Sequence, residues 1–270
     1  MGLTVALMTD LHFGPKALFA GKLRKMSHLA PALTEGIVAE LRERVRPDLL
    51  VNLGDDIEDE APGPDLERYL ACQERLRAAG CPLLNVAGNH DTINLTHDDL
   101  ARAWGRQGHL HYALEVGGYR FVVLHTVERK DVDVSIDDDQ LSWLRAELAA
   151  ARAPVVVLMH HSASEQDLGD SYWFSAAPHL ALVKNRAELR RVVRESGKVV
   201  AVFNGHVHRN HVDVIGGVPY ITIQSLIENV DDDAPGRAAG AYALATFDER
   251  RLVVRVRGLD PARYQFEWGG

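Results

Sequence analysis

Short runs of Val, Leu and Ile alternate with amphipathic helical patterns along most of the chain, and this alternation restricts the fold most. The runs LTVALMT, DLLVNLG, PLLNVAG, PVVVLM and KVVAVFN are typical of strands that are covered on both faces. Helices are predicted over PALTEGIVAELRERV, PDLERYLACQERLRAAG, DDDQLSWLRAELAAAR and NRAELRRVVRESG. This order of elements indicates an α/β protein with parallel strands.

Two regions depart from the alternation and predict antiparallel edges. LHYALEVGGYRFVVLHT alternates with period two and is typical of a hairpin that turns at Gly117–Gly118. After residue 210, HVDVIGGVPYITIQS, GAYALATFD and RLVVRVRG predict strands joined by turns. We therefore expect mixed sheets, two of them packed together, with helices outside.

Composition limits the class of protein. The chain has 270 residues, 46% of them hydrophobic, and no linker or repeat divides it, so we expect a single domain over 1–270. The net charge is -8 without a dense basic tract, which makes duplex nucleic acid an unlikely partner. Cys72 and Cys81 are too few for a disulfide framework. Without a signal-peptide pattern or a membrane-spanning apolar run, we expect a cytoplasmic protein with no membrane partner.

Five predicted strands end directly in residues that commonly bind metals. The carboxyl ends of parallel strands meet at one edge of a sheet, where ligands gather in α/β proteins. Each ending alone could be a polar turn or a packed histidine, but burying so many ionisable groups together without a cation would be costly. The endings are LMTDLH (Asp10, His12), LVNLGDD (Asp55, Asp56), NVAGNHD (Asn89, His90, Asp91), VVLMHH (His160, His161) and VFNGHVH (His206, His208).

These endings offer too many ligands for one ion that keeps an open position. Two ions that share a bridging carboxylate suit the number better. Mixed oxygen and nitrogen ligands without a thiolate favour Mn, Fe, Co or Zn over Mg or Ca. The candidate ligands are Asp10, His12, Asp55, Asn89, His160, His206 and His208.

The ordered motifs Asp-x-His, Gly-Asp, Gly-Asn-His-Asp, His and Gly-His-x-His resemble those of the calcineurin-like metallophosphoesterases. The resemblance implies a four-layer α/β/β/α sandwich of two mixed sheets flanked by helices, with catalytic motifs over 10–208 and C-terminal strands over about 211–258. It also implies two divalent transition-metal ions, with Mn favoured. By resemblance, Asp10, His12 and His208 bind the first ion, Asn89, His160 and His206 bind the second, and Asp55 bridges them.

The sequence leaves two alternatives for one of the metal ligands. The family usually places a proline two residues after the isolated histidine, and MHHSAS has none, so His161 is the alternative to His160. Asp56 and Asp59 are expected to cap the loop or to support the ligands.

The resemblance implies hydrolysis of phosphoesters through in-line attack by a metal-bridging hydroxide. His90 would face the phosphate and leaving group, and Asp91 would orient His90 through a hydrogen bond. The substrate is expected to be a small phosphoester or nucleotide, cleaved by a phosphodiesterase or a nucleoside-diphosphate-linked pyrophosphatase. A phosphomonoesterase and an inactive scaffold of the same fold are alternatives. GVPYITIQSLIE further resembles the manganese-dependent ADP-ribose/CDP-alcohol diphosphatase branch.

Two loops are candidate walls of the substrate site. The connection after His161 contains Tyr172, Trp173 and Phe174, which would either stack on the substrate or pin the loop to the surface. The segment after His12 carries four basic residues, which would either meet phosphate or form a solvated face: Lys16, Lys22, Arg24 and Lys25.

Overall fold

Two six-stranded mixed sheets lie face to face in the computed structural model, which describes residues 2–129 and 132–269. Helices cover the outer face of each sheet, so the layers follow the order α/β/β/α. This arrangement confirms the predicted fold class. No helix of the described ranges has the length and apolar character needed to cross a membrane.

The secondary-structure elements follow the alternation of the sequence. The strands are β1 (Leu3–Met8), β2 (Leu49–Asn52), β3 (Leu83–Asn85), β4 (Tyr112–Val116), β5 (Tyr119–Val123), β6 (Val127–Arg129), β7 (Val132–Ser135), β8 (Val155–Leu158), β9 (Val199–Asn204), β10 (His211–Ile215), β11 (Val218–Thr222), β12 (Tyr242–Asp248), β13 (Arg251–Arg257) and β14 (Ala262–Glu267). The helices are α1 (Ala30–Glu40), α2 (Pro62–Arg77), α3 (Asn89–Asn94), α4 (His97–Ala103), α5 (Asp138–Ala150) and α6 (Arg186–Ser196).

The strand order brings the predicted strand ends together. The first sheet runs β14-β13-β12-β1-β2-β3, and β1, β2 and β3 are parallel. The second sheet runs β10-β11-β9-β8-β5-β4, and β5, β8, β9 and β11 are parallel. Within each sheet, the loops that follow these parallel strands therefore emerge at one edge.

Apolar side chains between the two sheets form the central core. Leu7, Val51, Phe121 and Leu158 lie there and are almost inaccessible to solvent. Separate apolar clusters fill the space between each sheet and its helices. Burial on both faces explains the continuous apolar runs of β2, β8 and β9. Cys72 and Cys81 are free.

The structure extends and corrects the element predictions at several places. β14 continues the first sheet to Glu267, beyond the predicted limit at about residue 258. β11 lies inside the second sheet, parallel to β9, whereas the pattern of the tail predicted an antiparallel edge. The short helices α3 and α4 and the two-stranded pair of β6 and β7 were also not predicted.

Candidate metal centre

The loops that follow the parallel strands are hydrogen-bonded to one another at the shared edge. The Asp10 amide donates to the Gly54 carbonyl, and the His12 amide donates to the Asp55 carbonyl, both at 2.9 Å. The Gly205 amide likewise donates to the His160 carbonyl at 3.1 Å. These bonds fix the positions of the side chains that the loops carry.

Several residues in these loops have a strained, left-handed backbone conformation that the surrounding contacts must maintain. Five candidate ligands have left-handed backbone, with φ between 45° and 68°. Such conformations cost about 1–3 kcal/mol each in non-glycine residues and concentrate at functional sites. The five residues are Asp10, His12, Asp55, His206 and His208.

Motif glycines permit the close approach of these loops. A Cβ atom at Gly88 would collide with the Asp55 carboxylate, and one at Gly205 would collide with the Thr9 hydroxyl. The glycines of Gly-Asn-His-Asp and Gly-His-x-His are therefore required by packing at the site.

The structure brings all seven candidate ligands into one cluster. Asp10, His12 and His208 form one group whose ligand atoms lie within 4.8 Å of one another, and Asp55, His160 and His206 form a second. Asn89 Oδ1 joins the second group, 3.1 Å from His160 Nε2.

Asp55 lies between the two groups. Its Oδ2 atom is 3.6 Å from His12 Nε2 and 3.2 Å from His160 Nε2. A carboxylate in this position can act as a metal ligand for both groups.

Oxygen atoms on the far side of each imidazole determine which nitrogen faces the cluster. His208 Nδ1 is 2.7 Å from Glu228 Oε2, His160 Nδ1 is 2.8 Å from the Leu53 carbonyl, and His12 Nδ1 is 3.1 Å from Glu58 Oε2. An oxygen acceptor at Nδ1 selects the tautomer with the proton there and leaves a lone pair on Nε2. His206 has the opposite arrangement, since its Nε2 is 3.1 Å from the Leu180 carbonyl.

As a result, imidazole lone pairs face each other at the centre of the cluster. His12 Nε2 lies 3.1 Å from His208 Nε2, and His206 Nδ1 lies 3.2 Å from His160 Nε2. If both rings of a pair are neutral with these tautomers, they cannot hydrogen-bond each other, so each pair requires a cation between its nitrogens, either a proton or a metal ion. A metal ion in each group would accept both lone pairs, so the donor set fits two ions.

The raised pKa values of two candidate ligands, His160 and His208, also indicate that this cluster favours positive charge. Burial opposes protonation of His160, but the Asp55 carboxylate outweighs burial and raises the pKa of His160 to about 10. Burial likewise opposes protonation of His208, and Asp10 raises the pKa of its ring to about 9. The carboxylates therefore stabilise cationic charge where a metal would bind.

The neighbouring His161 points elsewhere. Its Nδ1 atom is 2.7 Å from the Thr126 hydroxyl, and its ring contacts the His206 ring at a tilt of 48°, with centroids 4.0 Å apart. The structure places His160, and not His161, in the group with Asp55.

The predicted hydrogen bond from Asp91 to His90 is wrong. His90 Nδ1 instead makes a short contact with Asp59, which emerges from the loop after β2. The buried Asp91 carboxylate accepts the backbone N–H groups of Asp55, Asp56 and Gly88, at 2.8 to 2.9 Å. Asp91 therefore joins the Gly-Asp loop to the Gly-Asn-His-Asp loop, and Asp59 is the residue that orients His90.

A cavity of about 280 Å³ opens onto the cluster. Its lining includes His90, Asn89, Trp173 and Phe174. Trp173 Nε1 donates to Glu228 at 3.2 Å, so this aromatic side chain is also part of the packing around His208.

The remaining predicted wall residues have different surroundings. Tyr172 lies under the Arg24 guanidinium, 3.7 Å from its ring centroid, and does not line the cavity. Lys25 is only 3% exposed and lines the cavity, which excludes a solvated basic face at that position. Sequence reasoning also missed Glu58 and Glu228, because no motif marks a residue that supports a ligand from behind.

Together, the fold and the clustered donors define an α/β/β/α protein with a candidate metal centre that opens onto a cavity. Residues 3–210 match the family described as calcineurin-like phosphoesterase, and the chain belongs to this family. The match ends at residue 210, so it does not support the predicted C-terminal resemblance to the ADP-ribose/CDP-alcohol diphosphatase branch.

Curated relatives carry both diesterase and phosphatase names. The chain is 29% identical to a probable cyclic nucleotide phosphodiesterase from Synechococcus sp., over 77% of this chain and 74% of the relative. It is 32% identical to the serine/threonine-protein phosphatase CPPED1 from Bos taurus, over 54% of this chain and 46% of that protein. A dimetal phosphatase from Danio rerio shares the fold with a TM-score of 0.80 at 18% identity, covering 99% of both chains.

Proposed function

We propose that this chain is a dinuclear metal-dependent phosphoester hydrolase. The two pairs of facing imidazole nitrogens carry the proposal, because each pair requires a cation and two metal ions would supply one to each pair. The first ion would be held by Asp10, His12 and His208, and the second by Asn89, His160 and His206. Asp55 would bind both ions. Oxygen and nitrogen donors without thiolate suit Mn, Fe, Co or Zn, and the family resemblance favours Mn.

The bound ions would supply Lewis acidity and a water of lowered pKa for attack on phosphorus. The protein contributes the position of the groups around the substrate. His90 lines the cavity, and Asp59 at its Nδ1 leaves Nε2 available to the substrate. His90 would donate a proton from Nε2 to the departing oxygen as the imidazolium, and the Asp59 carboxylate at Nδ1 would orient the ring and stabilise this charged form.

Aromatic groups beside both ligand groups favour a diester over a monoester. The Trp173 ring lies 5.8 Å from His208 of the first group, and the Phe174 ring lies 4.8 Å from His206 of the second. A phosphate bound at the centre would therefore have apolar surface available for organic groups next to both ligand groups. We infer a phosphodiesterase or nucleoside-diphosphate-linked pyrophosphatase.

A phosphomonoesterase is the second candidate. The relative named as a serine/threonine-protein phosphatase is the observation that favours it. The two candidates differ in whether the phosphate carries one organic group or two.

Metal reconstitution and a substrate panel test the proposal. Purified protein loaded with Mn should contain nearly two equivalents by elemental analysis and should cleave bis-p-nitrophenyl phosphate faster than p-nitrophenyl phosphate. Asp55→Ala should lose both ions, whereas Asn89→Ala should lose mainly one. Full metal content and activity in Asp55→Ala would refute the assigned ligands, and a faster monoesterase reaction would support the second candidate.

A further inference from the structure

The cavity wall beside the candidate metal centre contains one buried ion pair. Lys25 Nζ lies 3.0 and 3.1 Å from the two carboxylate oxygens of Glu58. The rings of Phe19 and Trp173 flank the ammonium group, with centroids at 5.3 and 5.1 Å. The charge of Lys25 is therefore already neutralised where it faces the cavity.

Backbone pairing holds this lysine in the wall. Lys25 forms an antiparallel bridge with Glu228. On either side of it, the Met26 amide donates to the Ile227 carbonyl at 2.8 Å, and the Asn229 amide donates to the Arg24 carbonyl at 2.9 Å. Lys25 cannot leave Glu58 by a movement of its backbone without breaking these bonds.

The surrounding charges are otherwise negative. Glu228 lies behind the lining residues Trp173 and His208, and Asp59 lies behind His90. Lys25 is the one lysine among the described residues that line the cavity, and none of those residues is an arginine. Outside the candidate ligands, the lining thus offers one carboxylate, Glu58, and one lysine, while the carboxylates of Glu228 and Asp59 lie behind it.

We propose that the cavity selects phosphodiesters whose scissile phosphate is their only charged group, and that the Lys25–Glu58 pair sets this preference. The inference rests on the proposed hydrolase function, and it favours cleavage of a phosphodiester bond over cleavage of a pyrophosphate bond. A second phosphate against this wall would meet a neutralised lysine and nearby carboxylates, which repel it strongly where water is scarce. A neutral polar group, such as a sugar hydroxyl, can instead accept the remaining N–H of Lys25.

Two substrates that differ by one phosphate test this preference. They are the p-nitrophenyl esters of thymidine monophosphate and of thymidine diphosphate, which share a nucleoside and an aryl group. With Mn-loaded wild-type protein, total hydrolysis followed by ³¹P NMR should give a kcat/KM at least about tenfold higher for the monophosphate ester. Because this comparison needs no variant, it does not depend on the folding of a mutant.

Two substitutions should move the substrate ratio in opposite directions. Lys25→Met removes the ammonium group from Glu58 and should widen the preference for the monophosphate ester by about three- to tenfold. Glu58→Gln frees the lysine charge and should narrow the preference by a similar factor, while its amide oxygen can still lie next to His12 Nδ1. Lower metal content in a variant cancels, since each ratio compares two substrates on one preparation. Lys22→Met, on the same segment but exposed and paired with Asp232, should leave the ratio unchanged.

Equal wild-type efficiency on both esters would overturn the inference, as would shifts of the ratio in the same direction by Lys25→Met and Glu58→Gln. Failure of the Mn-loaded protein to cleave either ester would instead contradict the proposed hydrolase function. The two failures are therefore distinguishable.

Discussion

At the scale of single residues, the groups behind the imidazoles define the chemistry of the candidate centre. His12 and His208 are supported by the carboxylates of Glu58 and Glu228. His160 and His206 are supported by backbone carbonyls. Carboxylate partners raise the basicity of an imidazole ligand and fix its orientation. The supporting residues thus belong to the candidate metal centre through their contacts with the ligands.

His90 should act on the leaving group, and His90→Ala tests that role. p-Nitrophenolate departs without a proton, whereas an alkyl or nucleoside alkoxide requires one, so the variant should lose about 10²–10⁴-fold activity only on the second type of ester. Asp59→Asn should give a milder form of the same pattern, because Asp59 holds His90 Nδ1. Steady-state kinetics on matched aryl and alkyl diesters measure both effects. Equal losses on the two ester types would assign His90 to phosphate binding.

The site residues that could be predicted from sequence are those whose motif also places them at the end of a strand. Asp10 and His206 directly follow a strand or a glycine turn, so strand order alone brings them together. The partner of His90 could not be predicted in this way. Asp59 reaches His90 because of the path of the loop after β2, and Lys25 reaches Glu58 through pairing with the segment around Glu228. Such contacts depend on loop geometry that sequence spacing does not specify.

At the scale of secondary-structure elements, the missed segments have local signals that a search for apolar runs overlooks. Thr96 and Asp99 form a capping box at the start of α4. In β14, alternate residues such as Tyr264 and Phe266 pack on the core between the sheets, while the others are exposed. An edge strand with polar residues on one face lacks the continuous apolar run of β9. The central strands were predictable because both of their faces are buried.

The aromatic loop should contribute to binding through Phe174 and not through Tyr172. Phe174 lines the cavity, whereas Tyr172 stacks with Arg24 outside it. Loss of a base–aromatic stack costs about 1–3 kcal/mol, or roughly five- to 150-fold in specificity. Phe174→Ala should therefore reduce kcat/KM for thymidine p-nitrophenyl phosphate much more than for methyl p-nitrophenyl phosphate. Tyr172→Ala is the matched control, and an equal loss on both esters in Phe174→Ala would indicate packing alone.

The loop after β5 should make stability depend on pH through His125. Burial lowers the pKa of His125 to about 3, and His97 adds to this effect. The unfolded chain takes up the proton near pH 6.5, so stability is retained above that pH and falls as pH decreases below it. Between about pH 7 and pH 4.5, wild type should lose about 2–3 kcal/mol more of its unfolding free energy than His125→Gln.

Urea denaturation at a series of pH values measures this difference. His28→Gln, at an exposed histidine, provides the control and should follow wild type. Parallel pH profiles for wild type and His125→Gln would show that His125 is not protonated differently in the two states.

At the scale of the whole molecule, the candidate metal centre joins the two sheets. Asp10, Asp55 and Asn89 follow strands of the first sheet. His160 and His206 follow strands of the second. Without metal, the contact surface between these loops contains facing imidazole nitrogens that require a proton between them, and left-handed backbone. Bound ions would therefore stabilise the packing of one sheet on the other, in addition to their proposed role in catalysis.

Chelation should lower the thermal stability of the entire fold. An ion that binds only the folded state adds about 4 kcal/mol when its free concentration is about 1,000 times its Kd. For a chain of this size, 1 kcal/mol corresponds to about 2–4 °C, so removal of the ions by EDTA should lower Tm by roughly 8–16 °C. Differential scanning calorimetry should show that Mn restores the lost stability. Asp55→Ala should not respond to Mn, because the variant lacks the carboxylate that serves both ions, whereas Glu195→Gln on the exposed face of α6 should respond as wild type. An unchanged Tm after complete, analytically verified removal of bound metal from wild type would show that the ions do not link the two sheets.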